Sequence, residues 1–511
     1  MFAWPCVNIF AMLQLLVRQC PQFATFMRER ITATRPSPQR PWRLILYNDE
    51  AQPGNLLSLD GTRKCQLIYF SFMEWGHDVL CRDHAWILAG LVRSSVALKT
   101  VGGMSCLLRL LLNSWFGPSF NLLESGCTLD CGDEHVLLFG RPAIVISDEA
   151  AMKGLFCNKG ASGIKPCMYC KNVCLPRSRL AEVSGDGYLI DLGNFDYQQL
   201  DLQTDQTIWQ SIDMLQRRSG IDSKKDFKEL EQALGFNHQP HGLLADMFLR
   251  RLLGPISCTM IDWMHTWLVG GIASWECWCF FKACKAQCGL NFSQFEAFVK
   301  TFTMRRADKN LAGTFSKKRE AACMLADAFK AGASEILGVY PLIRIFISKV
   351  LTPMGALAVQ CASFLALCEV LDSLGSVNSG RASPDQLAQQ IQRHLGLFFA
   401  AYPDETPKPK HHAALHIPDQ LRHHGTLLSC FVQERRHRLA KRVLGFSTKL
   451  QSFEFQRSVN LISYTLEQFN AEHAFATGMF LRGAKLQEIV KSWISSGSNT
   501  RLQGSLRLQD A

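Results

Sequence analysis

The stretch Pro142–Cys174, PAIVISDEAAMKGLFCNKGASGIKPCMYCKNVC, joins a strand, an acid pair and a cysteine cluster within a few turns of chain. Its opening residues are apolar and mostly β-branched. The run stops at Ser147-Asp148-Glu149, after which Ala150, Ala151, Met152, Leu155 and Phe156 recur at helical spacing. A carboxylate therefore sits where a strand hands over to a helix. Strand ends are where open α/β sheets display their chemistry, and a charge there must meet solvent, a cation or a helix N-terminus. Asp148 as a plain helix cap satisfies the same pattern, so a second carboxylate in an equivalent setting is needed to favour a site.

That second carboxylate lies upstream. In WRLILYNDEAQPGN, residues 42–55, the apolar run Leu44, Ile45, Leu46, Tyr47 ends on Asn48-Asp49-Glu50 and turns at Pro53-Gly54-Asn55. Residues 65–73 and 86–92 read as two further strands, and 107–116 as a helix, before the strand that ends at Asp148. Three strands, a helix and a strand match the opening of a ribonuclease H-like fold, in which the first and fourth strands lie side by side and each presents a carboxylate. Asp49 and Asp148 are 148 minus 49, or 99, positions apart. Two Mg²⁺ ions about 3.5–4 Å apart suit phosphodiester chemistry and require oxygen ligands from separate elements. Glu50 and Glu149 follow the two aspartates directly, and the sequence leaves open which member of each pair points inward.

The cysteines after Asp148, namely Cys157, Cys167, Cys170 and Cys174, stand in a Gly/Pro/Lys loop. Closely spaced, turn-mounted thiolates suggest structural Zn²⁺, with free buried thiols as the alternative. With 20 cysteines in 511 residues and no secretory pattern at the start, the chain reads as belonging to a reducing compartment. Lys plus Arg outnumber Asp plus Glu by 55 to 44, an excess that suits a polyanionic partner. The longest uncharged stretch, residues 350–368, carries Thr, Pro, Gln and Ser, which favours a buried helix over a membrane span.

Five regions follow. Residues 1–41 form an N-terminal helical segment and linker, and 42–175 the first part of the core with its cysteine loop. Residues 176–405 form a mainly helical insertion, 406–495 return to the core, and 496–511 read as a disordered tail. Within the insertion, CTMIDWMHTWLVGG (258–271) reads as an apolar helix in which Asp262 and His265, three apart, make a structural pair or a metal or substrate site. His411, His412, His416, His423 and His424 crowd the return and suit metal or phosphate. In FVQERRHRLAKRV (431–443), Glu434 is surrounded by Arg435, Arg436, Arg438, Lys441 and Arg442. Glu434 either pairs with Arg438 on the surface or supplies a third acid on a helix whose cations face a polyanion.

With those residues set out, the chain resembles the DDE-type transposases of the CACTA and Plavaka-like (Kyakuja-Dileera-Zisupton) groups. The resemblance rests on LYNDEAQPGN, ISDEAAMKGLFCNKGASGIKPCMYCKN, IDWMHTWLVGG and PKHHAALHIPDQL with SCFVQERRHRLAKR, in the family's order over about residues 42–445. It implies an α/β fold with a large all-helical insertion in a ribonuclease H-like catalytic core. It further implies cut-and-paste DNA transposition in the nucleus by a homo-oligomer, using two Mg²⁺ or Mn²⁺ ions on double-stranded transposon ends and target. Carried over, Asp49, Asp148 and Glu434 are the catalytic acids and metal ligands, with Asp262 the second choice. Cys167 and Cys170 match the family's CxxC, and Arg435, Arg436, Arg438, Lys441 and Arg442 would contact DNA. Only about 40 residues precede the first strand, where family members usually carry more, a departure that leaves open whether this copy is intact and active. The alternative is a catalytically inactive or domesticated remnant that binds DNA; no membrane association is expected.

Overall fold

The computed structural model describes residues 4–52, 64–132, 134–184, 188–302, 311–445, 452–471 and 474–475, with short strands at 480–481 and 507–508. The expected tail at 496–511 lies outside the described residues apart from that last strand.

A mixed sheet of five strands forms the centre. We label them β1 (Trp42–Ala51), β2 (Cys65–Phe72), β3 (Ile87–Arg93), β4 (Gly140–Ser147) and β5 (Thr259–Ile261), and their spatial order is β3-β2-β1-β4-β5. The first three are antiparallel neighbours, whereas β4 joins β1 in parallel and β5 joins β4 in parallel. β1 and β4 are buried along nearly their whole length, on both faces. That explains why their sequences read as continuous apolar runs rather than alternating ones. The helices Glu149–Phe156 and Phe431–Gly445 both pack against β1, so the helix that follows Asp148 and the helix that carries Glu434 meet the same strand.

Residues before β1 belong to the same core. Val7 donates its amide to Ala89 at the sheet edge, the Trp4 indole donates to Leu91, and Trp115 donates to Val7. Gly90 permits this contact, since a Cβ there would fall 2.6 Å from Trp4 Cζ2.

The region expected to be one helical insertion is divided by the sheet. Residues 259–261, read as part of a helix, are strand β5, and the helix starts only at Trp263. The all-helical part begins at the Ile272–Cys288 helix and runs through Pro384–Ala401. Its interior carries a fully buried Glu276–His394 pair at 2.5 Å, with the Ser363 hydroxyl donating to the same carboxylate. Ala358–Ser379 is long and apolar enough to cross a membrane, and 56% of its most apolar window is buried inside the protein.

Candidate functional site

The register of the three parallel strands brings the acids together. In the β1–β4 ladder Leu46 faces Val145 and Tyr47 faces Ile146, an offset of 99, and the Asn48 amide continues it by donating to Ser147 Oγ at 3.2 Å. The next step, 49 plus 99, is Asp148. Between β4 and β5 Val145 faces Thr259 and Ser147 faces Ile261, an offset of 114, and 148 plus 114 is Asp262. Asp49, Asp148 and Asp262 therefore occupy one level across three adjacent strands, Asp49 near the end of β1 and the other two just past β4 and β5.

Each acid is held differently. Asp49 Oδ2 accepts the Tyr47 hydroxyl at 2.9 Å and Oδ1 accepts the Glu50 amide at 2.6 Å. Burial, then the charge of Asp148, then that of Glu434, push the Asp49 carboxyl up to about 7. Three carboxylates are thus close enough to feel one another. Glu50 is the outward member of its pair, bonded by the Ser94 hydroxyl and Lys64. Glu149 is exposed and accepts only a long 3.4 Å bond from the Ala161 amide. Asp148 caps the helix it precedes, Oδ1 accepting Ala151 N at 2.7 Å. Capping and membership of the acidic cluster are thus compatible, since one oxygen suffices for the cap.

Asp262 is the most fully engaged. Its Oδ1 accepts the amides of Met264 and Cys430, and its Oδ2 accepts the His265 amide and the His265 ring, the last at 2.5 Å. Those four donors occupy the lone pairs a metal would use. Through Cys430, Asp262 fixes the start of the Phe431–Gly445 helix and so the position of Glu434. Glu434 then faces His265 Nε2 at 3.9 Å rather than Arg438. One helical turn further, the buried ring of His437 turns Nδ1 to within 3.6 Å of Asp49 Oδ2. Burial, and secondarily Lys441, lower this imidazole to about 3, so it is neutral. Among the described residues Asp49 and Glu434 are thus paired with imidazoles and not with lysine or arginine.

The cysteine cluster differs from the expected one. Cys167 and Cys170 are joined by His412 and His416, the four ligand atoms lying within 4.8 Å of one another. Cys170 Sγ stands 3.3 Å from His412 Nε2 and 3.4 Å from His416 Nε2, Cys167 Sγ stands 3.4 Å from His416 Nε2, and the two Nε2 atoms are 3.1 Å apart. A tetrahedron with sulfur at about 2.3 Å and nitrogen at about 2.0–2.1 Å from its centre has edges of about 3.3–3.8 Å, close to these values. Two ring nitrogens facing each other at 3.1 Å call for a proton or a cation between them. Burial opposes charge on Cys167, but the Cys170 thiol and the two imidazoles outweigh it and bring this thiol well below its ordinary range. Cys157 and Cys174 are corrected out of the set. Cys157 ends the Glu149–Phe156 helix in a left-handed turn, and the Cys174 thiol donates to the Ile190 carbonyl. The HxxxH spacing of His412 and His416 was the available signal, but it lies more than 240 residues from the cysteines.

The basic helix also needs correction. Arg436 is buried and donates to Thr465, so it cannot meet a polyanion, and Arg435 pairs with Asp83. Arg438, Lys441 and Arg442 are exposed. Of the other histidines, His411 is buried against Trp275 and Phe398 and accepts the Lys408 amide.

A cavity of about 500 Å³ is lined by Asp148, Asp262 and His265 together with Cys167, His412, Lys153 and Lys410, so members of both clusters border it. Among the described residues three groups bring ligand atoms within 4.8 Å of one another and are compatible with a bound metal ion: Cys167, Cys170, His412 and His416; Asp262, His265 and Cys430; and Asp49, Glu434 and His437. No protein-family model and no curated protein matches the chain.

Proposed function

We propose that this chain is a metal-dependent DNA transposase of the CACTA and Plavaka-like kind, built on a ribonuclease H-like core. The observation that carries the reading is the convergence of Asp49, Asp148 and Glu434, two from adjacent parallel strands and one from a late helix, into a half-buried cluster in which, among the described residues, no lysine or arginine forms an ion pair with these acids. The order β3-β2-β1-β4-β5, antiparallel on one side of β1 and parallel on the other, supports the core assignment.

The residues present fit divalent cations. A carboxyl pushed up to about 7 by burial and then by the charges of Asp148 and Glu434 marks a place that favours added positive charge, and oxygen donors from separate elements are the donor set that Mg²⁺ or Mn²⁺ takes. Bound there, the two ions would activate the attacking water or DNA 3′-hydroxyl and offset charge at the phosphodiester. Tyr47 and the Glu50 amide orient Asp49, the cap bond orients Asp148, and Asp262 holds the helix that carries Glu434. Arg438, Lys441 and Arg442 on that same helix would contact the phosphate backbone, a sequence-independent and salt-sensitive attraction. Cys167, Cys170, His412 and His416 would hold a structural Zn²⁺, tying the return from the helical region to the core. The reading carries with it a nuclear location and a homo-oligomer holding two DNA ends.

The experiment is strand cleavage and strand transfer on double-stranded DNA with Mg²⁺ or Mn²⁺, comparing the natural chain with Asp148→Asn. Loss of several kcal/mol of transition-state stabilisation, about a thousandfold in rate, is expected. Equal activity in both would remove Asp148 from the site. DNA binding without cleavage in any metal would instead indicate an inactive DNA-binding remnant.

A further inference from the structure

His437 has no part in the acidic triad, yet it has the environment of a ligand. It stands three residues after Glu434 on the same helix, which puts both side chains on one face. One oxygen each of Asp49 and Glu434 and a ring nitrogen of His437 lie within 4.8 Å of one another. The His437 side chain is only 2% exposed. Its Nδ1 stops 3.6 Å from Asp49 Oδ2, beyond hydrogen-bonding distance, and its buried Nε2 has no hydrogen-bond partner among the described residues. A buried imidazole held only by packing ordinarily satisfies at least one nitrogen. Here the rings of Tyr47 and Tyr69, with centroids 5.7 and 5.9 Å away, fix the ring while the nitrogen facing the acids stays unpaired.

We infer that His437 is a direct ligand of the cation shared by Asp49 and Glu434, making that position a mixed oxygen and nitrogen site that favours Mn²⁺ over Mg²⁺. The inference rests on the proposed binding of divalent ions by those two acids. Its chemistry is the preference of Mg²⁺ for an all-oxygen shell, whereas imidazole suits transition metals. The two carboxylates keep free lone pairs for the ion, because each hydrogen bond to Asp49 uses one of about four acceptor positions. The Tyr47 hydroxyl on Oδ2 and the Glu50 amide on Oδ1 then act as outer partners that orient the carboxylate.

The test is pulsed electron paramagnetic resonance of Mn²⁺ added to the full zinc-loaded chain, which detects directly coordinated ¹⁴N. The natural chain, His437→Asn and His265→Asn are compared, the last removing the other imidazole near Glu434. A directly bound nitrogen is expected in the natural chain and in His265→Asn and is expected to vanish in His437→Asn. Calorimetric titration should show Mn²⁺ affinity reduced about tenfold or more in His437→Asn, with Mg²⁺ affinity changed by less than about threefold. Mn²⁺ bound through oxygen alone in the natural chain would overturn the inference and leave the metal-dependent reading standing. A nitrogen signal lost in His265→Asn instead would overturn it equally. Absence of any Mn²⁺ binding would overturn both. Since the spectrum of the natural chain and that of His265→Asn decide the matter, the inference stays testable even if His437→Asn fails to fold.

Discussion

The two ligand clusters each lend residues to the lining of one cavity and differ in what they lack. Cys167, Cys170, His412 and His416 form a closed set in which four donors already stand at the edges of a tetrahedron, mostly buried. The acids form an open set, half-buried, in which burial and then mutual repulsion push Asp49 up to about 7. Closed shells hold a metal for stability, and shells with room left over hold one for chemistry. On the proposed reading, the same fold region binds one ion to fasten the chain and others to act on a substrate, with separate consequences when each is lost.

The largest effect expected separates these roles. Glu434→Gln should reduce strand cleavage about a thousandfold while leaving the melting temperature unchanged or raised, because it relieves repulsion. Cys170→Ser should lose bound zinc, measured by elemental analysis, and lower the melting temperature by on the order of 10 °C. If both variants lost only activity, the division between fastening and chemistry would fail.

The next effect is a dependence on pH. Asp49 sits above its unfolded value, so the folded metal-free protein holds a proton that the unfolded chain releases. This group therefore adds stability as pH falls from about 7 towards the ordinary carboxylate value, and that contribution disappears above about 7. Metal must displace the same proton. Mn²⁺ affinity should rise by up to about tenfold per pH unit below 7 and level off above it, as read by titration calorimetry. An Asp49→Asn variant that kept the slope would assign it to another group.

A smaller change is expected at Asp262. Asp262→Ala leaves the buried Cys430 amide unsatisfied, a cost of about 1–3 kcal/mol. Faster hydrogen exchange in residues 431–445 should accompany it; exchange unaltered there would deny Asp262 its positioning role. Smallest of all, Cys157→Ser and Cys174→Ser should each cost about 1 kcal/mol or less and leave zinc content untouched.

β1 and β4 were legible in the sequence because both are buried on two faces, which writes them as uninterrupted apolar runs ending in acids. β5 was not, since three residues, Thr259–Ile261, are too few to show a period of two beside the apolar helix that follows. The offset of 99 between Asp49 and Asp148 was visible as a number, but only the ladder reveals it as a register. The zinc-type ligands were half legible: Cys167 and Cys170 stood out locally, while spacing along the chain favoured the nearby Cys157 and Cys174 over histidines beyond the helical region. In the basic helix, Val432, Arg436, Ala440 and Leu444 recur every four residues and are buried, yet charge composition drew attention to Arg436 as a surface cation.

Asp262 meets the Cys430 amide across 168 positions of chain, at the two ends of everything that lies between β5 and the Glu434 helix. Mechanically, one side chain clasps both feet of that long excursion. Spreading those feet would have to break this buried bond together with the one the Ile261 amide donates to Gln420.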